Sequence, residues 1–309
     1  MIFCLLMFFK LTAAGIPNER QEISGSPRAA IETRIEEVPF IVSIQAKVTA
    51  TDCPGSVNTC EAWQHICTGI IVSEHHVITG APCFFKTSKD GVKKERDPHN
   101  ILVMAGSDRR DSGRRMAVSH FCYHKNYGTN SSSDSYGLIF LHDNFKFGTK
   151  VKVAKTPKGR FKDSSKELSG MIHEHRLGFV YGWDMKKGSD NKQLLMIQIR
   201  LGAITICDTS EIHGINASQH FCGRATVPDN LADIGSPFVI DKVVWGYFVT
   251  SGDGVQPSTL FSRMDATLGW KAIVLASSQP SIMCHSFVFL RYNIILFFFL
   301  QVIHRIYNM

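Results

Sequence analysis

Short apolar runs separated by polar, turn-rich stretches dominate the middle of the chain and predict an all-β domain. Strands are predicted at Phe40–Ile44, Gly69–Ile71, Ile101–Ala105, Leu138–Leu141, Leu195–Leu201 and Val243–Val249, where apolar residues alternate or run together. Clusters of Gly, Ser, Asn and Asp at residues 88–91, 128–131 and 252–254 separate these runs and predict turns.

Both chain ends carry apolar runs of another kind. The run at residues 1–9, with small residues at 12–15 behind it, predicts a secretory signal peptide over residues 1–15. The alternative is a buried strand, since Lys10 and the missing basic start are atypical of a signal. Residues 279–309 form an apolar extension that Arg291 and Asn293 interrupt, whereas a spanning helix needs about 20 apolar residues. A membrane anchor, a packed helix and a gene-model artefact remain alternatives for it.

The composition is that of an ordinary globular protein with a basic surface. Charged residues make up 20% and hydrophobic residues 44% of 309, with a net charge of +7. The basic residues cluster at Lys86–Lys89, Lys93–Arg96, Arg109–Arg110, Arg114–Arg115 and Lys150–Lys162. Such a surface attracts sulfated glycans, anionic membranes or acidic proteins, and a merely solvated face is the alternative. Because no aromatic platform or nucleic-acid motif accompanies the charge, nucleic acid is not an expected partner.

Three motifs, in this order, indicate the fold. The first runs from Cys67-Thr68-Gly69 to Thr79-Gly80-Ala81-Pro82-Cys83, and the second is the segment Asp134–Leu141. The third is Asp233-Ile234-Gly235-Ser236-Pro237. Together they resemble the C-G-G … T-A-A-H-C, N-D-I-A-L-L-K-L and G-D-S-G-G-P motifs of the trypsin-like (chymotrypsin-fold) serine-protease family. Smaller matches lie at Val38–Gln45, Gly182-Trp183 and Leu260–Met264, so the resemblance covers roughly residues 35–277.

The resemblance implies the fold and its boundaries. It implies two six-stranded antiparallel β-barrels with a short C-terminal helix, over residues 28–278, with Trp270 where the closing helix begins. It also implies disulfides between Cys67 and Cys83 and between Cys207 and Cys222.

The remaining cysteines and the sequons complete the predicted covalent features. Of nine cysteines, Cys4 lies in the signal peptide, and Cys53 and Cys60 are placed to close an inserted loop. Cys122 and Cys284 are left without an assigned partner, so free thiols are expected there. Asn130 and Asn216 head N-glycosylation sequons on polar loops.

The same alignment gives each position of the catalytic triad. When Leu138, Ile139 and Leu141 are aligned with the apolar positions of the family motif, Ser135 falls at the position of the catalytic aspartate. If Asp134 were aligned with the aspartate instead, Gly137 would fall at a position that is a core leucine in the family. The histidine and serine positions are Pro82 and Ile234. Proline cannot accept a proton, and isoleucine offers no nucleophile for acyl transfer. The family's oxyanion glycine and specificity-pocket carboxylate fall at Ala232 and Pro228, so no member of the catalytic apparatus is retained.

We therefore expect a secreted, catalytically inactive serine-protease homologue without cofactor or metal. By analogy with insect relatives in immune cascades and reproductive secretions, it would bind a protein partner or compete with active proteases. The expected partners are proteases, inhibitors or cell-surface components. The alternatives are an unconventional serine-type endopeptidase and a glycan or cell-surface binder that uses the basic face.

Two smaller features receive structural interpretations. The family's activation motif R-I-V-G-G is missing, so Asp233, which in the family pairs with the new amino terminus, is interpreted as a turn residue hydrogen-bonded locally. His173 and His175 would share one face of a strand, but two histidines without a third ligand indicate surface residues rather than a metal site.

Overall fold

The computed structural model describes most of the chain between residues 30 and 285. The described ranges are 30–50, 60–87, 90–127, 134–183, 192–207, 215–226, 232–251, 258–276 and 282–285. The predicted signal peptide, Cys53, Asn130, Pro228 and residues 286–309 lie outside these ranges.

Strands account for most of the regular structure. In chain order they are β1 (Ile31–Glu32), β2 (Ile41–Ala50), β3 (Cys60–Ile71), β4 (His76–Gly80), β5 (Phe85–Thr87), β6 (Lys93–Glu95), β7 (Ile101–Ala105), β8 (Arg114–His124), β9 (Tyr136–Leu141), β10 (Leu177–Gly182), β11 (Leu195–Gly202), β12 (His220–Ala225), β13 (Pro237–Ile240), β14 (Val243–Ser251), β15 (Ser258–Arg263) and β16 (Ile282–His285). The helices are α1 (Phe161–His173) and α2 (Met264–Ala276), with short 3-10 turns at Ala81–Phe84, Pro98–Asn100 and Ile204–Cys207.

The strands close into two antiparallel barrels, as predicted. The first has the strand order β8-β7-β2-β3-β4-β9 and closes by pairing of β8 with β9. The second has the order β11-β10-β13-β14-β15-β12 and closes by pairing of β11 with β12. Each barrel carries one extra strand, β16 beside β8 and β1 beside β11. Because β16 follows α2, part of the predicted C-terminal extension returns to the first barrel.

Each barrel has its own apolar core, built from the inward-facing residues of its strands. Val42, Ile44, Val103, Phe121 and Ile139 are buried in the first barrel, among others. Phe221, Phe238 and Phe261 pack ring against ring in the second, with centroids 5.0–5.3 Å apart. A third cluster, including Tyr136, Trp183 and Tyr247, joins residues of both barrels. At about 1.5–3 kcal/mol for each fully buried large apolar side chain, these clusters hold the barrels together.

Two features of the helices differ from expectation. The sequence pattern predicts no helix at α1, yet its Leu168 and Met171 pack into the second core. His173 ends this helix, and His175 follows it with a φ of 52°, so the two histidines do not share a strand face. Trp270 lies in the middle of α2 rather than at its start.

The disulfides implied by the resemblance are present. Cys67 bonds to Cys83 and Cys207 bonds to Cys222. The expectation of a free thiol at Cys122 is wrong, because Cys122 is disulfide-bonded. In the antiparallel pairing of β8 with β16, the residue directly opposite Cys122 is Cys284. The predicted Cys53–Cys60 bond falls outside the described residues, since Cys53 is not described and only the backbone of Cys60 is.

Candidate functional site

The three residues predicted to occupy the triad positions lie around a single glycine on β4. A Cβ placed on Gly80 would lie 2.5 Å from Cγ2 of Ile234, 3.5 Å from Cδ of Pro82 and 3.6 Å from Oγ of Ser135. Pairing of Gly80 with Tyr136 across β4 and β9 brings Ser135 to this point. The side chains of Pro82, Ser135 and Ile234, which are distant in sequence, therefore lie close together around Gly80.

The only polar side-chain atom among these three residues is the Ser135 hydroxyl. Ser135 is 1% exposed, and within the described ranges its Oγ has no hydrogen-bond partner. Its carbonyl oxygen accepts from the Ala81 N–H at 3.2 Å and from the Tyr247 hydroxyl at 3.3 Å. A buried hydroxyl without a partner costs about 1–3 kcal/mol.

Ile234 lies where the two barrel cores meet. Its partly buried side chain packs against the apolar clusters of both barrels. Its carbonyl accepts from the Thr68 N–H at 2.9 Å, which ties the turn before β13 to β3. Gly235 follows with a φ of 87°, and a Cβ there would overlap the Thr68 carbonyl oxygen, so this turn requires glycine.

The carboxylate of Asp233, the residue before Ile234, accepts hydrogen bonds from residues that are distant in sequence. Its Oδ2 accepts from His65 Nε2 at 3.1 Å, from the Thr68 hydroxyl at 3.0 Å and from the Trp183 N–H at 2.9 Å. The side chains of His65 and Asp233 are 3% and 6% exposed. The interpretation of Asp233 as a locally bonded turn residue is therefore wrong, because its carboxylate connects the first barrel to the second.

His65 extends this connection to a buried serine that sequence reasoning missed. Its Nδ1 lies 2.8 Å from Ser43 Oγ, which gives the chain Ser43–His65–Asp233. A hydroxyl, an imidazole and a carboxylate in this order match the groups of an acyl-transfer site. Ser43 is only 1% exposed, however, so no substrate carbonyl can reach its oxygen. The geometry indicates a structural connection between the barrels.

A second serine–histidine pair lies on the first barrel. Ser73 Oγ is 2.7 Å from His76 Nδ1, and the other ring nitrogen of His76 is buried without a described partner. Burial chiefly, then the charges of Lys271, His75 and His120, lowers the pKa of His76 to about 4. An imidazole with this pKa is a weak general base near neutral pH.

Of the two predicted glycosylation sites, Asn216 lies within the described residues. Asn216 is exposed on the turn before β12, where its Oδ1 accepts from the Ser218 N–H. In the part of the chain that the structure describes, no group of three His, Cys, Asp or Glu side chains is arranged to hold a metal ion. No helix in the described ranges is long and apolar enough to cross a membrane.

The family model described as trypsin matches residues 30–270. The chain belongs to the trypsin family. Curated relatives include the fibrinolytic enzyme isozyme C of Lumbricus rubellus, at 25% identity over 68% of this chain and 88% of that protein. Trypsin of Phaedon cochleariae is 22% identical over 80% of this chain and 94% of its own length.

Solved structures show the same trypsin fold. The crystal structure of the scabies mite inactivated protease paralogue S-I1 aligns with a TM-score of 0.57 and 19% identity. The alignment covers 80% of this chain and 99% of that one. At this identity the likeness concerns the fold alone.

Proposed function

We propose that this trypsin-family chain is a catalytically inactive homologue that acts by binding a protein partner. The observation that carries the proposal is the meeting of Pro82, Ser135 and Ile234 around Gly80. A proline ring, a buried hydroxyl and a hydrocarbon supply neither a base nor an accessible nucleophile at that point. The partner is a protease, an inhibitor or a cell-surface component, with which a protease-like surface competes or associates.

An extracellular location accompanies the proposal. Disulfides persist in oxidising compartments, and the barrels contain Cys67–Cys83 and Cys207–Cys222. The apolar start of the sequence fits export. Roles in reproductive secretions or immunity follow from analogy with insect homologues, and the tissue that expresses the protein distinguishes between them.

The competing hypothesis is an unconventional serine endopeptidase. It needs a nucleophile beside a competent base, and each serine–histidine pair described above lacks one requirement. Ser43 is buried at the connection between the barrels, and the lowered pKa of His76 makes it a weak base for Ser73. The scabies mite protein, named an inactivated protease paralogue, provides a precedent for this fold without activity.

Covalent labelling tests the proposal. The purified, proteolytically processed protein is incubated with a fluorophosphonate probe, with trypsin as the positive control and denatured protein as the negative control. We expect no labelling above the denatured control. Stoichiometric labelling of one serine, mapped by mass spectrometry and lost in the alanine variant of that serine, would contradict the proposal.

A glycan-binding role is the second candidate, and one observation favours it. Lys86 and Lys94 lie directly opposite each other on the β5–β6 hairpin, an arrangement of like charges that opposes pairing. A sulfate bound between them would relieve this repulsion. The candidate predicts retention on heparin that falls when both lysines are changed to alanine; unchanged retention removes it.

A further inference from the structure

A surface groove lies where the barrels meet, lined by residues outside the triad positions. Its lining comes from segment 36–40, except Val38, from the connecting segment 152–155, except Ala154, from Tyr181 of β10 and from Lys242 of the β13–β14 turn. Its volume is about 520 Å³, within the range of ligand-binding sites.

Backbone hydrogen bonds to both barrels hold the groove's connecting segment in place. The Lys152 N–H donates to the Pro39 carbonyl at 2.8 Å, and the Ala154 N–H donates to Ile71 of β3 at 2.9 Å. On the other side, the Lys155 carbonyl accepts from the Val244 N–H at 2.8 Å. The exposed side chains of this segment therefore project from a fixed backbone, so a ligand would meet a preformed surface.

Side chains of both charges line the groove. Lys152, Lys155 and Lys242 are exposed, and among the described residues none of them lies within ion-pair distance of a carboxylate. Glu36 and Glu37 also line the groove, and Lys150 pairs with Glu36 at 3.4 Å. The three lysines are thus open to negative charge on a ligand, whereas the glutamates disfavour it.

Apolar and aromatic side chains also line the groove. Phe40 and Tyr181 are largely buried beneath it, and Val153 is 41% exposed along it. Burial, followed by the charge of Glu37, raises the pKa of Tyr181 to about 12, which keeps its phenol protonated. This surface can cover one apolar or aromatic ligand side chain.

The turn that carries Lys242 is the second observation. Asp241 and Lys242 are the two residues between paired Ile240 and Val243, and their φ angles are 50° and 64°. A two-residue turn with both φ angles positive strongly favours glycine at its second position. Asp241 is bonded to Arg176 at 2.7 Å, but no comparable bond of the Lys242 side chain occurs within the described ranges. A lysine at this position is unfavourable for the turn and places an ammonium group at the groove.

We infer that this groove binds an extended peptide segment of mixed charge in a protein partner. Acidic residues of that segment would face Lys152, Lys155 and Lys242, an apolar side chain would cover Phe40 and Tyr181, and a basic group would lie beside the two glutamates. A sulfated glycan fits less well, because a uniform polyanion would face the glutamates and has no apolar side chain. The inference rests on the proposed binding function and gives it a location.

Peptide selection on the immobilised full-length protein tests the site. A displayed library of random ten-residue peptides is selected, and the enriched peptides are synthesised and titrated against purified variants. We expect enriched sequences to combine acidic residues with an aromatic or aliphatic one. Their affinity should fall about fivefold or more when Lys152→Ala is combined with Lys242→Gly. The matched control is Lys86→Ala with Lys94→Ala, which removes the same charge from the β5–β6 hairpin and should leave peptide affinity unchanged.

Lys242→Gly alone separates binding from folding. Glycine suits the positive φ of the turn, so the variant should unfold at a higher urea concentration while it binds the peptides more weakly. A purely structural role for Lys242 would not change these two quantities in opposite directions.

Three results would overturn the inference. They are no enrichment over a blocked surface, equal peptide affinity for the groove and hairpin variants, and loss of heparin-decasaccharide binding in the groove variant without any enriched peptide. Equal capture of a native partner by the wild type and the groove variant would also overturn the inference, because the partner would bind elsewhere, but it would leave the proposed function standing. Covalent labelling by the fluorophosphonate probe would instead overturn the proposed function, whatever the groove binds.

Discussion

Removal of the Asp233 carboxylate tests the structural role assigned to the remnant of the nucleophile motif. In Asp233→Ala, His65, the Thr68 hydroxyl and the Trp183 N–H all lose their shared acceptor in a buried environment. Loss of one member of a buried charged network costs about 3–5 kcal/mol, so the free energy of unfolding should fall by that amount. Asp233→Asn keeps one acceptor oxygen but adds two donors that face donors, and we expect about 1–3 kcal/mol.

Urea denaturation at pH 7, followed by tryptophan fluorescence, measures these differences. Glu61→Ala is the matched control, because it removes a carboxylate whose side chain is 73% exposed and pairs with Lys47 on the surface. The control should cost less than about 1 kcal/mol. If Asp233→Ala costs no more than Glu61→Ala, the carboxylate does not stabilise the junction of the two barrels and the assigned role is wrong.

Three further predictions concern His76 on the first barrel and the residues around Gly80. Burial lowers the pKa of His76 from 6.5 to about 4, so the folded state holds fewer protons than the unfolded one in this window. Stability should therefore fall by at most about 3 kcal/mol as the pH drops from 6.5 to 4, and urea titrations of His76→Phe should show a flatter pH dependence; equal slopes would contradict this. Gly80→Ala should destabilise by about 1–3 kcal/mol through its contact with Ile234, and a double-mutant cycle with Ile234→Ala should show coupling; additive effects would refute the contact. Ser135→Ala should leave the free energy of unfolding unchanged or raise it, because the hydroxyl has no partner among the described residues. A decrease in the free energy of unfolding of more than about 1 kcal/mol would instead reveal a hydrogen bond of the hydroxyl.

The sequence carries the fold mainly through its strands and motif order. All six predicted strands are present, and Ile101–Ala105 has the predicted bounds. The alternation of apolar residues depends on which face of each strand is buried, so it can be read independently of the residues at the predicted triad positions. The assignment of Ser135 to the family's aspartate position stays a prediction; it was set by Leu138, Ile139 and Leu141, which are buried core residues.

What the sequence did not predict depends on contacts between distant residues. The Asp233–His65 bond joins residues 168 positions apart, and the Ser43–His65 contact lies beside a bulge that shifts the β2–β3 register. No local pattern encodes either distance. Cys122 was expected to be free because the pairing of β16 with β8 cannot be read from an apolar tail. Helix α1 was missed because only a narrow stripe of a polar segment is buried.

Turnover of a peptide library is the most direct test of the central claim that this trypsin-family protein is not a protease. The full-length, folded protein is incubated with a diverse peptide mixture, and cleavage is followed by mass spectrometry. Ile234→Ala, Ser73→Ala and trypsin are tested in parallel. The account predicts that the wild type and both variants cleave no more than buffer does, while trypsin cleaves normally. Reproducible cleavage by the wild type that copurifies with the folded protein and disappears in one of the two variants would contradict it.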